Sequence, residues 1–252
     1  MSAWTAKKAQ ARLAALADPE QATHALRFFK TGPGEYGEGD QFLGIRIPQL
    51  RSVAKEARGM ALPDIAVLLR SPWHEERMLA LFLLTHAFAV GEEAQREAVF
   101  EFYVAHFQWV NNWDLVDASA HLIVGPFLEG RSRAMLANWA RSAVLWERRV
   151  AVVATFHFIR KGDFTDILAL AEILQTDPHD LMHKAVGWML REVGKRDLAC
   201  METFLKKHAA TMPRTMLRYA IEKLPEATRQ HYLAARRLIR SAESLTPRPA
   251  DA

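Results

Sequence analysis

The sequence predicts an all-α fold, one continuous stack of helix pairs over residues 1–240. Three observations lead there. Apolar residues recur at the three- and four-residue spacing of a helix face, with few of the alternating stretches that suit a strand. The breaks between these runs are short and carry helix-end signals. And short segments can be laid over one another at a nearly constant interval of about one helix pair.

The elements follow in order along the chain. Asp18-Pro19 reads as an N-cap followed by proline at the first helical position. Pro63-Asp64, Ser71-Pro72, Gly91, Gly130, Gly162-Asp163 and Asp177-Pro178 punctuate in the same way, and Pro213 and Pro225 divide the last part. The runs between them are roughly 10 to 18 residues, an ordinary helix length, and there are about a dozen. No interior linker is rich in Gly, Ser or Pro, so no domain boundary is expected. Residues 241–252 read as a disordered tail.

Composition bounds the function. The 252 residues are 50% hydrophobic and 25% charged, the balance of a globular protein with a real core. The longest apolar stretches, such as Met78 to Leu84, fall well short of the roughly 20 residues of a membrane span. The start, MSAWTAKKAQ, has no apolar signal core. One cysteine, Cys200, rules out an internal disulfide and any zinc site of several thiolates. The expectation is a cytoplasmic protein, without a membrane and monomeric. The net charge of +4 is unevenly spread. Between Lys206 and Arg240 nine Lys/Arg stand against two Glu, a local +7 that leaves −3 for the rest. A basic C-terminal third suits phosphate contacts, and equally a solvated helical face.

Four segments carry the repeat: EERMLALFLLTH from Glu75, NNWDLVDASAHL from Asn111, ERRVAVVATFHF from Glu147 and MHKAVGWMLREV from Met182. They align Arg77, Trp113, Arg149 and Lys184, which are 36, 36 and 35 residues apart. That is close to the period of helical solenoids, in which the second helices of successive pairs line a concave face. Val116, Val152 and Val186 continue apolar rows and belong to the core. The Arg77 column does not. One turn on, its neighbours are Leu81, Asp117, Val153 and Trp188, and a further turn on Thr85, His121, His157 and Glu192. Trp113, Asp117, Arg149 and Trp188 are therefore expected on one patch. Two indoles and a carboxylate suit a cation, and a guanidinium suits a phosphate. The alternative is that the tryptophans pack in the core and Asp117 pairs with Arg149 for structure alone; aromatic residues at helical spacing are more often core.

Four segments in order resemble the AlkD-like DNA alkylation repair proteins: FLGIRIPQLR at 42–51, NNWDLVD at 111–117, LWERRVAV at 145–152 and KAVGWMLREVGKRD at 184–197. The resemblance spans about residue 20 to about 225. It implies a right-handed α-α superhelix of HEAT-like helix-pair repeats with a concave DNA-binding groove. It also implies hydrolysis of the N-glycosidic bond of cationic N3- and N7-alkylpurines in duplex DNA, without base flipping and without cofactor or metal. Asp117, Trp113, Arg149 and Trp188 fall on the family's catalytic cleft positions. A cationic base leaves without protonation, Asp117 would stabilise the oxocarbenium ion and position water, the tryptophans would pack on the sugar and backbone, and Arg149 would hold a phosphate and orient Asp117.

The expected DNA contacts are Phe28, Arg46, Arg77, Arg148, His157, Lys184, Lys195, Arg214 and Arg218. Three depart from the family pattern: Phe28 stands for a tyrosine, Arg46 for a glutamine and His157 for a lysine. The segment Thr31–Gln41, TGPGEYGEGDQ, is a further departure, a turn-rich loop or hairpin insertion that caps the first repeat. Its acids Glu35, Glu38 and Asp40 would repel phosphate. A similar insertion occurs in relatives that resemble DNA-structure binders, so a non-catalytic protein binding damaged or branched DNA is one alternative. A helical-repeat scaffold for proteins is another. Cys200 reads as an inert thiol, His106, His121 and His157 as groove-lining or satisfied helix histidines, and Arg191 with Glu192 as an ion pair or a solvated helix end.

Overall fold

A computed structural model describes residues 4–243, with side chains to residue 234. Among the described residues the chain is all-α, and the one extended pairing is an isolated bridge between Gln41 and Trp73. It divides into two compact units, one up to Arg131 and one from Ser132 onward.

The first unit holds α1 (Ala6–Ala14), α2 (Pro19–Phe28), α3 (Ile47–Glu56), α4 (Leu62–Leu69), α5 (His74–Val90), α6 (Glu93–Ala105), α7 (Trp113–Asp117) and α8 (Ala120–Phe127). Asp18 caps α2 as expected: its carboxylate accepts from the N–H groups of Glu20 and Gln21, and Pro19 takes the first helical position. Helix α5 is the centre. It packs against α3, α4, α6 and α8 and is buried around most of its circumference over its first three turns. Such a helix has no solvent stripe, so its polar residues must find partners inside.

The second unit holds α9 (Ala134–Trp139), α10 (Leu145–Ala154), α11 (Phe156–Ile159), α12 (Thr165–Ile173), α13 (Asp180–Gly194), α14 (Leu198–His208), α15 (Arg214–Ala220) and α16 (Glu226–Glu243). Here α13 is central, against α10, α12, α14 and α15. Gly187 lets α15 come close: a Cβ there would lie 2.5 Å from the Met216 carbonyl oxygen.

Two expectations need correction, and a third is narrowed. The segments from Asn111 and Glu147 are not continuous helices. Ser119 ends α7 and Thr155 ends α10, and each hydroxyl bonds back to a carbonyl, Ser119 Oγ to Leu115 at 2.6 Å and Thr155 Oγ1 to Val152 at 2.6 Å. Such back-bonding competes with the helical ladder. His121 and His157 therefore lie beyond a break and not one turn further on the face of Trp113 and Arg149. Of the two forms expected for Thr31–Gln41, the turn-rich loop is the one observed. The tail expected at 241–252 begins in helix, since α16 continues to Glu243; the rest of it lies outside the described residues. The side chains of Arg236, Arg237 and Arg240, three of the nine C-terminal cations, also lie outside them.

Candidate active site

The repeat register singled out Trp113 and Asp117, and both lie on α7. Asn112 caps this helix, its side-chain oxygen taking the Trp113 N–H at 2.8 Å. Leu115 and Val116 are fully buried and turn α7 so that Trp113 and Asp117 share the opposite, half-buried face. The two line a cavity of about 600 Å³ within the first unit, together with Phe28, Phe29, Phe42 and Arg46. Trp113 stacks on Phe29 at 5.6 Å between ring centres, and Phe28 meets it edge-on at 5.9 Å. Phe29 stacks in turn on Phe42 at 5.0 Å. The wall is thus a contiguous aromatic surface carrying the Asp117 carboxylate, with exposed Phe28 and exposed Arg46 among its lining residues. A flat, electron-poor group or a sugar face fits such a wall, because ring faces attract positive charge.

Next to the wall lies a charged network that the sequence did not disclose, two of whose members, His74 and Asp114, also line the cavity. His74, at the start of α5, is 3% exposed. Its Nδ1 is 3.1 Å from Asp40 Oδ2 and its Nε2 is 2.8 Å from Asp114 Oδ2. Asp40 also accepts from Arg77 Nη2 at 2.5 Å and from Asn112 Nδ2 at 3.1 Å. Burial drives the His74 pKa down, but the charge and hydrogen bond of Asp114, with the bond to Asp40, outweigh it and push the pKa up to about 9. Asp40 is pushed up by burial and, more strongly, held below the usual carboxylate range by His74, Arg77 and Asn112. The neighbouring Glu75 takes the backbone N–H groups of Leu43, Gly44 and Ile45 at 2.8–3.2 Å, which fixes the strand of chain carrying Phe42 to Arg46. The partners of His74 are 34 and 40 residues away in sequence, so no local spacing could have found them. The one sequence signal was an Asn-Trp-Asp run at a helix start.

Two expected DNA contacts are committed elsewhere. Arg77 is 3% exposed and gives its guanidinium to Asp40 and to the Ser71 carbonyl at 2.8 Å. Arg148 donates to Asp177 at 2.6 Å and to the carbonyls of Ser142 and Ala143. Arg77 is buried and Arg148 half-buried, and for either one a contact with a phosphate would compete with acceptors already engaged. Asp40, expected to repel phosphate from the loop, is likewise buried and paired.

In the second unit Arg149 is 4% exposed on α10, and its Nη1 donates to the Leu181 carbonyl at 2.8 Å. Trp188 is half-buried on α13, with the Phe156 ring 5.9 Å away. Lys184 pairs with Asp180 at 2.8 Å, and Lys195 with Glu192 at 2.6 Å. Arg214 donates to the Leu233 carbonyl, His157 sits edge-on to Phe158, and Arg218 is exposed. Arg191 pairs with Glu222 rather than with Glu192, which holds Lys195 and Arg196. His106 is satisfied by Arg70 and the Phe102 carbonyl. Burial, and then the charge of Asp197, raise the Cys200 pKa, the opposite of activation. Among the described residues no group of three or more His, Cys, Asp or Glu is placed to hold a metal, and no helix is long and apolar enough to cross a membrane.

The sequence model of a family described as DNA alkylation repair enzyme matches residues 9–224. No curated protein matches the chain. Among solved structures, a protein of Enterococcus faecalis described as a predicted DNA alkylation repair enzyme is 18% identical, with a TM-score of 0.66 over 83% of this chain and 97% of that one. The protein smu.31 of Streptococcus mutans UA159 is 18% identical over 86% of this chain and 90% of its own, with a TM-score of 0.44. The first of these shares the fold, and the family match runs from α1 to the end of α15 and takes in α7, α10 and α13; the chain belongs to the DNA alkylation repair enzyme family, and its role lies in DNA repair.

Proposed function

We propose that the protein is a DNA glycosylase acting on cationic N3- and N7-alkylpurines in duplex DNA. The observation that carries this reading is the pairing of Asp117 with Trp113 on one face of α7, at an aromatic wall, in a member of this family. The chemistry asks little of the protein. Alkylation at N3 or N7 leaves the base positively charged, so the C1′–N bond breaks with its electron pair passing to the base and no acid is required. The sugar becomes an oxocarbenium ion. The Asp117 carboxylate stabilises that charge and aligns a water, which adds at C1′ and gives up its proton, leaving an abasic site. Trp113 packs on the deoxyribose, as does Trp188 by the roles the repeat register and the family resemblance give it. Arg149 acts by the same argument on a phosphate. The remaining candidates at the DNA are Phe28, Arg46, His157, Lys184, Lys195, Arg214 and Arg218. The base is not flipped, and no cofactor takes part. The protein works as a monomer on DNA in the cytoplasm.

The test is release of free base from duplex DNA containing 7-methylguanine. Wild type should release it, and Asp117→Asn should be slower by about 100-fold or more. Equal rates in both would remove Asp117 from the mechanism. Binding of the duplex by wild type without release would make the protein a non-catalytic DNA binder.

A further inference from the structure

Helix α7 is five residues long, with a single backbone turn to hold it. So short a helix has no stability of its own; nucleation alone costs more than one turn returns. Its direction must come from ties to the rest of the first unit. Leu115 and Val116 supply an apolar anchor on one side. On the polar side two ties within the first unit lead to His74 and Asp40. His74 Nε2 lies 2.8 Å from Asp114, the residue between Trp113 and the buried Leu115. Asp40 holds the side chain of Asn112, the cap of α7, at 3.1 Å.

Both nitrogens of the His74 ring face carboxylates. Only the imidazolium has two N–H donors, so this geometry requires the charged form. The charges facing it are Asp40 from the loop, Asp114 from α7 and Arg77 from its own helix; Phe29 and Phe42 cover the ring with uncharged faces at 4.9 and 4.7 Å. Asp40 is the penultimate residue of the Thr31–Gln41 segment. The segment is tied down on both sides of it, by Glu35 and Glu38 to its own backbone at Gly32 and Gly34 and by Gln41 to Trp73.

We infer that Asp40 and His74 are positioning residues for Trp113 and Asp117, and that the Thr31–Gln41 segment serves to deliver Asp40 beneath α7. The inference rests on the reading of Trp113 and Asp117 as catalytic residues. The relay also has a direction in pH. His74 has a raised pKa, so its charge is complete at neutral pH and is lost as pH rises through about 9. Above that pH one ring nitrogen can no longer donate, and one of the two carboxylates loses its hydrogen bond.

The experiment uses full-length protein labelled with 5-fluorotryptophan. The Trp113 fluorine resonance, one of seven, is assigned from Trp113→Phe. On titration from about pH 7 to about pH 10 it should shift with a midpoint near pH 9 in otherwise wild-type protein, and stay flat in His74→Gln. In the release assay His74→Gln should be slower by about tenfold or more at neutral pH, with duplex affinity unchanged within about twofold, since misplacement acts on the chemical step. It should also lack the alkaline fall that wild type shows. A flat Trp113 resonance in wild type overturns the inference without reference to any variant, as does a His74→Gln rate equal to wild type. A Trp113 shift in a protein that releases no base would leave the relay standing and remove the glycosylase reading instead.

Discussion

At Gly44 the sequence has no freedom. Its φ is +79°, and an added Cβ would lie 2.1 Å from the Asp18 carbonyl oxygen and 2.6 Å from the Ala22 nitrogen. The tight approach lets three successive N–H groups, of Leu43, Gly44 and Ile45, converge on one buried carboxylate, Glu75. Phe42 and Arg46 flank this clamp and line the cavity. Gly44→Ala should therefore cost about 2 kcal/mol or more in urea unfolding, from strained φ and a backbone collision that no rotamer can relieve. Gly39 is the control. Its φ is +86° with nothing within 4 Å of the added carbon, so Gly39→Ala should cost about 1 kcal/mol, the conformational part alone. Equal losses at the two sites would mean that the approach of Gly44 to α2 is not what fixes the clamp.

Helix ends were the most legible elements. Asp18-Pro19, Gly91, Pro213 and Pro225 all fall at or next to an observed terminus, because caps and prolines act through local geometry. The breaks at Ser119 and Thr155 were not, since both lie in apolar helical runs and only the hydroxyl back-bonds reveal the change. The same contrast holds at the site. Trp113 and Asp117 stand out as odd members of two neighbouring repeat columns, whereas His74 is one polar residue among several at a helix start. Its partners come from a loop and another helix, and long-range pairing leaves no mark in a spacing. Gly187 belongs to this class. It sits next to Trp188 and reads as a weak point in α13, yet its missing Cβ admits the backbone of α15, with the Met216 oxygen and Tyr219 Cβ both 2.5 Å from where that carbon would be. Gly187→Ala should force α15 away and cost about 1–3 kcal/mol, despite the better helix propensity of alanine. A variant as stable as wild type would show that α15 yields without loss.

For the molecule as a whole, the distribution of cations decides how it should hold a polyanion. The basic C-terminal run is less available than its count of nine implies. Lys207 pairs with Glu172, Lys223 with Glu222 and Arg229 with Glu226, while Lys206 and Arg218 are exposed and make no ion pair among the described residues. In the first unit Arg77 is spent on Asp40, and Arg46 is exposed beside the aromatic wall. Each phosphate neutralised releases counterions, so each contact contributes about 0.9 to the slope of log affinity against log salt. Arg46→Ala and Arg218→Ala should therefore each flatten that slope by about one, and the double variant by about two, with folding stability unchanged within about 0.5 kcal/mol. Arg148→Ala should do the reverse. It removes the partner of the buried Asp177 and frees two carbonyls, so it should lower stability by about 2 kcal/mol or more and leave the slope alone. Fluorescence anisotropy of a labelled duplex over a range of salt concentrations measures the slopes, and urea unfolding the stabilities. An unchanged slope in the double variant would show that exposure and the lack of an ion pair do not mark the phosphate contacts of this protein.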